Sequence, residues 1–304
     1  MNRRNFIKKS GLAGFYISTG AYKIQDLLPH QLFNLTILHT NDVHSRIEPF
    51  PMDGGRYQGM GGAAKRAAMI KKIRQTEEHV LLLDAGDIFQ GTPYFNFFGG
   101  ELEFKLMSEM NYDAATIGNH DFDAGIDGLH KQLPNADFDL INANYDFSNT
   151  IMNQKVAPYK IYQKGAVKVG VLGVGIELKG LVPGALIGET QYLDPIKQAD
   201  KYASLLKNEM KCHYVICLSH LGYKYREEKV SDVDLAQQTS NIDLIIGGHT
   251  HNLLSEPGSR KNKTGKEVLI SQVGWAGIAL GRTDVSFEKN FKNKCTSCKN
   301  KFVN

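Results

Sequence analysis

Cysteine is scarce. The chain has 304 residues and four cysteines, Cys212, Cys217, Cys295 and Cys298. That is far too few for the disulfide framework on which small secreted scaffolds depend. Cys217 lies inside the apolar run Val215-Ile216-Cys217-Leu218, where a thiol reads as a core side chain. Cys295 and Cys298 have the spacing of half a zinc knuckle, but the chain holds no second pair. A local disulfide or two free thiols are the alternatives there. An excess of one charge is also lacking. Lys and Arg total 36 against 32 Asp and Glu, for a net charge of +4. No basic block stands out before the C-terminal segment, so nothing calls for nucleic acid as a partner. No apolar run approaches the ~20 residues of a membrane-spanning helix, so no stable membrane span is expected. Internal repeats and low-complexity stretches are absent too.

What is present is the composition of an ordinary globular protein, 42% hydrophobic and 22% charged. The length suffices for one large α/β domain or two small ones. At the N-terminus, Arg3-Arg4-Asn5-Phe6-Ile7-Lys8 resembles a twin-arginine export signal. A weakly apolar stretch, 11–22, follows it, with no lipobox-like cysteine behind. Residues 1–31 are therefore expected to be signal and linker, and the protein to be exported to the periplasm. Residues 32–288 are expected to fold. Residues 289–304 are basic and Asn-rich, and read as a mobile tail.

From Leu32 onward one pattern recurs. An apolar run ends in a polar cluster, and a helical stretch follows. Leu35-Thr36-Ile37-Leu38 leads to Asp42 and His44, and Val80-Leu81-Leu82-Leu83 leads to Asp84 and Asp87. Ala114-Ala115-Thr116-Ile117 leads to Gly118-Asn119-His120-Asp121. Val215-Ile216-Cys217-Leu218 leads to Ser219-His220, and Leu244-Ile245-Ile246 to Gly248-His249-Thr250-His251. Short apolar runs ending in Gly or Asn read as buried strands. Helices are expected at 63–74, 102–110 and 195–210, with Ala63, Ala67 and Ile70 on one face of the first. Residues 45–62 read as a loop. Strands 267–273 and 281–287 have no helix between them and are expected to be antiparallel, closing a second sheet. The fold class is α/β.

In an open α/β sheet, sites form at the carboxyl ends of strands. Here separate strand ends carry Asp42 and His44, Asp87, Asn119, His220, and His249 and His251. Residues two apart on an extended segment point the same way, which pairs Asp42 with His44 and His249 with His251. This is too many ligands for one ion. It suits two ions sharing a carboxylate, for which Asp87 is the candidate, and such a centre clamps both oxygens of a phosphoryl transfer. The mixture of His, Asp and Asn suits Mn, Fe or Zn better than Ca.

Asp42-x-His44, Gly86-Asp87, Gly118-Asn119-His120-Asp121, Ser219-His220 and Gly248-His249-x-His251 resemble the five ordered blocks of calcineurin-like metallophosphoesterases. The wording of the first and third blocks resembles the catalytic domain of bacterial 5′-nucleotidases and 2′,3′-cyclic phosphodiesterases. The resemblance implies a four-layer α/β/β/α sandwich over residues 32–288. It implies that Asp42, His44, Asp87 and His251 bind one divalent ion, and Asp87, Asn119, His220 and His249 the other. It implies that His120 faces the phosphate and that Asp123 orients His120. The implied activity is hydrolysis of nucleotide phosphate esters by in-line attack of metal-bound hydroxide. Full 5′-nucleotidases add a second domain that recognises the base, and no part of this chain matches it. The alternatives are a catalytic subunit served by a separate C-terminal-type nucleotide-recognition protein, and a broad phosphodiesterase.

Other polar residues carry blander expectations. His30, His39, His79, His130 and His213 have no partner in the pattern, and a surface or core role is the default. Asp84 reads as structural, and Asp121 as a support for the ligands or a helix cap. Asn142 and Asn144 read as turn residues. Tyr94-Phe95-Asn96-Phe97-Phe98 packs a loop or rims a site. Ser219 is not the nucleophile, because the metal centre supplies one.

Overall fold

The computed structural model describes residues 32–288, 291 and 294–304. The export signal expected at 1–31 lies outside the described residues. Two sheets carry the fold. The first runs in the order β14 (Lys294–Cys298), β13 (Ala279–Phe287), β1 (Phe33–Thr40), β2 (Val80–Asp84), β3 (Ala114–Ala115), β4 (Asp139–Leu140), and β15 (Lys301–Phe302) also pairs with β13. The second runs β11 (Gly258–Lys261), β12 (Glu267–Ser271), β10 (Leu244–Gly247), β9 (Tyr214–His220), β7 (Val167–Gly175), β6 (Tyr159–Lys164).

The period-two alternation of strands explains the layering. Leu35 and Ile37 of β1, Leu81 and Leu83 of β2, Val169 and Val171 of β7, Ile216 and Leu218 of β9 and Leu244 and Ile246 of β10 share one buried cluster, which is the layer between the sheets. Their neighbours point outward. Leu38 and Leu82 meet α1 (Ala63–Arg74) and α3 (Glu101–Glu109) through Ile70, Phe104 and Met107. Val215 and Cys217 meet α6 (Pro195–Ser204) and α7 (Asp232–Gln238) through Ala199, Ala203 and Leu235. The result is the expected α/β/β/α sandwich. Each fully buried Leu or Ile contributes ~1.5–3 kcal/mol of transfer free energy, so this double-sided burial holds the strands in fixed register.

Parallel pairing aligns the strand ends that matter. Thr40 pairs with Asp84 and Asp84 with Ala115, while Gly247 pairs with Ser219. The polar clusters therefore leave both sheets at one edge. Residues 45–62 form no strand, and form a helix nowhere, as expected. The stretch 195–210 is helical as expected: α6, capped by Asp194, continues without a break into a π-helical segment over Leu205–Glu209.

Two expectations need correction. Strands β12 and β13 do not pair. β12 runs parallel to β10 in the second sheet, and β13 crosses to lie antiparallel to β1 in the first. Apolar alternation records that a strand is buried, not which sheet receives it. The crossing segment between them, with Gly274 and Gly277 at positive φ, passes directly over the site. Within the basic C-terminal segment, Lys294–Cys298 and Lys301–Phe302 form strands where a tail was expected. β14 pairs with β13 from Phe287↔Lys294 to Thr283↔Cys298, and Val303 is fully buried. Lysine is common on edge strands, where its charge blocks further pairing, so composition alone suggested a tail. Cys298 is a free thiol beside Thr283 Oγ1.

Candidate metal centre

The turns that follow the strands are tight. Asp42, His44, Asp87, His249 and His251 all have φ between 50° and 71°. Non-glycine residues avoid this left-handed region, at a cost of ~1–3 kcal/mol each. The surrounding hydrogen bonds enforce it. Asp42 N donates to Gly86 O, His44 N to Asp87 O, and Ser45 N to Ile88 O. Asp121, fully inside the protein, accepts the N–H groups of Asp87, Ile88, Phe89 and Gly118. It is a cradle that joins two loops rather than a helix cap. Gly118 must be glycine, since a Cβ there would overlap Asp87 Oδ1 and His220 Nε2.

These loops bring together the residues that the sequence singled out. One ligand atom each from Asp42, His44 and His251 lie within 4.8 Å of one another, and so do those from Asp87, His220 and His249. Asp87 lies between the groups: Oδ2 is 3.0 Å from His220 Nε2 and 3.8 Å from His44 Nε2. Asn119 Oδ1 is 2.9 Å from His249 Nδ1. His120 stands at the rim, its Nδ1 2.8 Å from Asp123 Oδ2 and its backbone N donating to Asp87 Oδ1.

The donor set fits divalent cations. His220 donates Nδ1–H to the Ala85 carbonyl at 2.7 Å, which leaves a lone pair on Nε2. That buried Nε2 makes no directed hydrogen bond among the described residues, although Asp87 Oδ2 is 3.0 Å away. Two ligand atoms aimed at a common cation have this relation. The electrostatics agree. Burial opposes a charge on His220, yet Asp87 and Asp42 outweigh it and push its pKa up to about 10. Carboxylates that draw a proton so strongly would draw a metal ion in the same way. Burial lowers the pKa of His44, and pushes that of His249 down to about 4, which keeps both rings neutral as ligands. Burial also opposes charge on His120, but Asp87 and Asp123 reverse this and raise its pKa.

The remaining polar residues take supporting places. Asp84 is buried and accepts from Thr40 Oγ1 and Gly86 N, and burial pushes its pKa up to about 7. Ser219 Oγ donates to Asp232 Oδ1 at 2.5 Å and is thereby occupied. Asn142 Oδ1 accepts from Asn144 N and Tyr145 N, a local turn. His39 is a core residue against Ser271 Oγ, His79 stacks on Phe33, and His213 accepts from Lys168 N. Phe95 packs inward from α2 (Pro93–Phe98), while Phe97 stays exposed. Three residues were not foreseen. Asn41 Nδ2 donates to Asp42 Oδ2 at 2.6 Å, Gln272 Nε2 donates to the Gly248 carbonyl, and Trp275 stacks on His251. Adjacency to Asp42 was a signal for Asn41; nothing in the local pattern pointed to the other two.

A family model described as calcineurin-like phosphoesterase matches residues 35–253. The chain belongs to this family. Among its relatives, a snake venom 5′-nucleotidase of Gloydius brevicauda is 34% identical over 278 residues, covering 84% of this chain and 46% of the relative. The 5′-nucleotidase of Homo sapiens is 34% identical over 251 residues, covering 78% and 42%. Among solved structures, the 5′-nucleotidase precursor of Thermus thermophilus superposes with a TM-score of 0.79 at 31% identity, over 89% of this chain and 54% of that one. The chain thus spans about half the length of the curated 5′-nucleotidases it matches. The region matched by the family model contains every motif block, from Asp42 to His251.

Proposed function

We propose that this phosphoesterase is a binuclear, metal-dependent phosphohydrolase of the 5′-nucleotidase kind, which hydrolyses nucleotide phosphate esters by in-line displacement. The observation that carries the reading is Asp87, whose carboxylate lies between the Asp42–His44–His251 and Asp87–His220–His249 groups. Asp42, His44, Asp87 and His251 would hold one ion, and Asp87, Asn119, His220 and His249 the other. Mn, Zn or Fe suits these donors. When bound, such a pair neutralises phosphate charge and acidifies a water for attack.

The chain's own residues do the rest. Asp123 accepts the Nδ1–H of His120 and leaves Nε2 as the ring nitrogen for substrate. Against desolvation, Asp87 and Asp123 raise the His120 pKa, which favours the protonated ring. It can donate to a phosphoryl oxygen, or to the leaving oxygen as the ester bond breaks. Asp121 and Gly118 hold the loops that carry Asp87 and Asn119 at their close separation. Export through the twin-arginine route is the proposed localisation, supported by Arg3-Arg4 and the apolar stretch behind it.

A second reading, a broad phosphodiesterase, is favoured by the openness of the rim: the His120 side chain is 38% exposed and that of His251 39%. One assay separates the two. The purified chain is supplied with Mn²⁺ and given AMP and bis(p-nitrophenyl) phosphate in turn. Turnover of AMP above the diester supports the nucleotidase. Turnover of the diester alone supports the broad enzyme. Loss of neither activity on chelation would refute metal dependence.

A further inference from the structure

The histidines of the centre are not held alike. His44 turns Nδ1 to the Phe89 carbonyl at 3.3 Å, and His220 turns Nδ1 to the Ala85 carbonyl at 2.7 Å. A carbonyl only accepts, so each fixes its ring with Nδ1–H outward and the Nε2 lone pair inward. This is the usual way in which a protein orients a ligating imidazole. His251 has no such support. Its Nε2 is 3.1 Å from His44 Nε2 and 3.4 Å from Asp42 Oδ1, both within the centre, and no hydrogen bond from the described residues reaches its Nδ1. Its side chain is also 39% exposed, against 9% for His44 and 0% for His220. By these measures it is a ring free to swing.

A ring stack stands where the hydrogen bond is missing. The Trp275 indole lies within 5° of parallel to the His251 imidazole, with centroids 5.7 Å apart. Phe50 and Tyr57 brace the indole edge-on at 5.8 and 6.4 Å, and the Arg46 guanidinium lies over Phe50. The backbone beside Trp275 is anchored to the same centre, since Ala276 N donates to the Asp42 carbonyl at 2.7 Å. Trp275 is the only tryptophan in the chain. Aromatic pairs of this kind prefer defined offsets and resist rotation out of the stack.

We propose that Trp275 is the positioning residue for His251, and that the loop 46–60 acts on the metal centre through Phe50, Tyr57 and this stack. The stack substitutes for the second hydrogen bond of the imidazole. It aims Nε2 at the cation site shared with Asp42 and His44, and it leaves the Asp87–His220–His249 site untouched. The inference rests on the binuclear reading above.

The test is calorimetric titration of Mn²⁺ into the metal-free full chain, with metal content per chain measured after gel filtration. Wild type is expected to show two binding events. Trp275→Ala is expected to weaken one event about 10–100-fold, the range for lost support of a ligand, and to leave the other unchanged. Trp275→Phe keeps a ring and is expected to stay within a few-fold of wild type. Trp275→Leu fills the space without a ring, and it decides the matter should the alanine variant fail to fold: the same selective loss is expected. Unchanged affinities in a folded Trp275→Leu protein would overturn the proposal, as would equal weakening of both events. A wild-type chain that binds no metal would instead overturn the binuclear reading, and the role of Trp275 with it.

Discussion

Nε2 of His44 and Nε2 of His251 face each other across 3.1 Å, although residues 44 and 251 sit at opposite ends of the matched region. His44 gives its Nδ1–H to the Phe89 carbonyl and so brings a lone pair to that gap. Asp42 Oδ1 stands 3.4 Å from His251 Nε2 and 4.0 Å from His44 Nε2. Three electron-rich atoms held together at the ends of strained turns form a poor hydrogen-bond network and a good cation site. The left-handed conformations of all three residues keep them there at a cost in stability that packing offsets.

His120 stands apart from these ligands, and its replacement separates chemistry from metal binding. His120→Asn is expected to lower kcat by about 10²–10⁴-fold, the usual contribution of a positioned acid or base, with metal content unchanged. Asp123→Asn removes an influence that raises the His120 pKa. If protonated His120 acts, the alkaline limb of the kcat profile then moves to lower pH. A profile that does not move would remove Asp123 from the account.

Gly118 tests the packing of the site. A Cβ there would overlap Asp87 Oδ1, so Gly118→Ala is expected to displace Asp87 and cost about 1–3 kcal/mol, as overpacking does. Thermal melting of the metal-free protein measures that loss. Metal affinity should fall as well, and an alanine variant with wild-type affinity would contradict the crowding.

Asp232 gives a prediction in pH. It is fully buried, accepts from Ser219 Oγ, has no hydrogen-bond partner for Oδ2 among the described residues, and burial pushes its pKa from 3.8 up to about 8. The folded state therefore favours the protonated form, while the unfolded chain ionises near 3.8. Its contribution to stability is largest below the unfolded pKa and is lost as pH rises from about 4 to about 8. Asp232→Asn removes that slope. Melting curves of the two metal-free proteins should diverge across this window, with the variant gaining relative stability as the pH rises. Parallel curves would show that Asp232 is ionised in the fold.

Much of the candidate site was legible because its residues follow strand ends. Asp42, His44, His249 and His251 follow apolar strands, and strand ends at one sheet edge converge. The extended geometry expected from their spacing of two is not found, since all four have positive φ and His249 and His251 join different groups. The layers were legible for the same reason, since Ile37 and Leu38 alternate between two cores. What was not legible depends on long-range choices. Nothing near Trp275 announces that the crossing from β12 to β13 will lay its ring on His251. Lys294 and Cys295 read as tail residues because pairing with Phe287 and Ser286 is a property of the partner strand. Asp121 was ambiguous because its four N–H donors come from two separate loops.

The central claim is a shared carboxylate between two ions, and Asp87→Asn tests it most directly. Asparagine keeps an oxygen to accept the His120 N–H that Asp87 Oδ1 now accepts, so the fold should survive, as circular dichroism can check. Metal analysis of the Mn²⁺-loaded wild type should give two ions per chain, and the variant fewer, with AMP hydrolysis reduced by at least about 10²-fold. Two tightly held ions and full activity in Asp87→Asn would contradict the account.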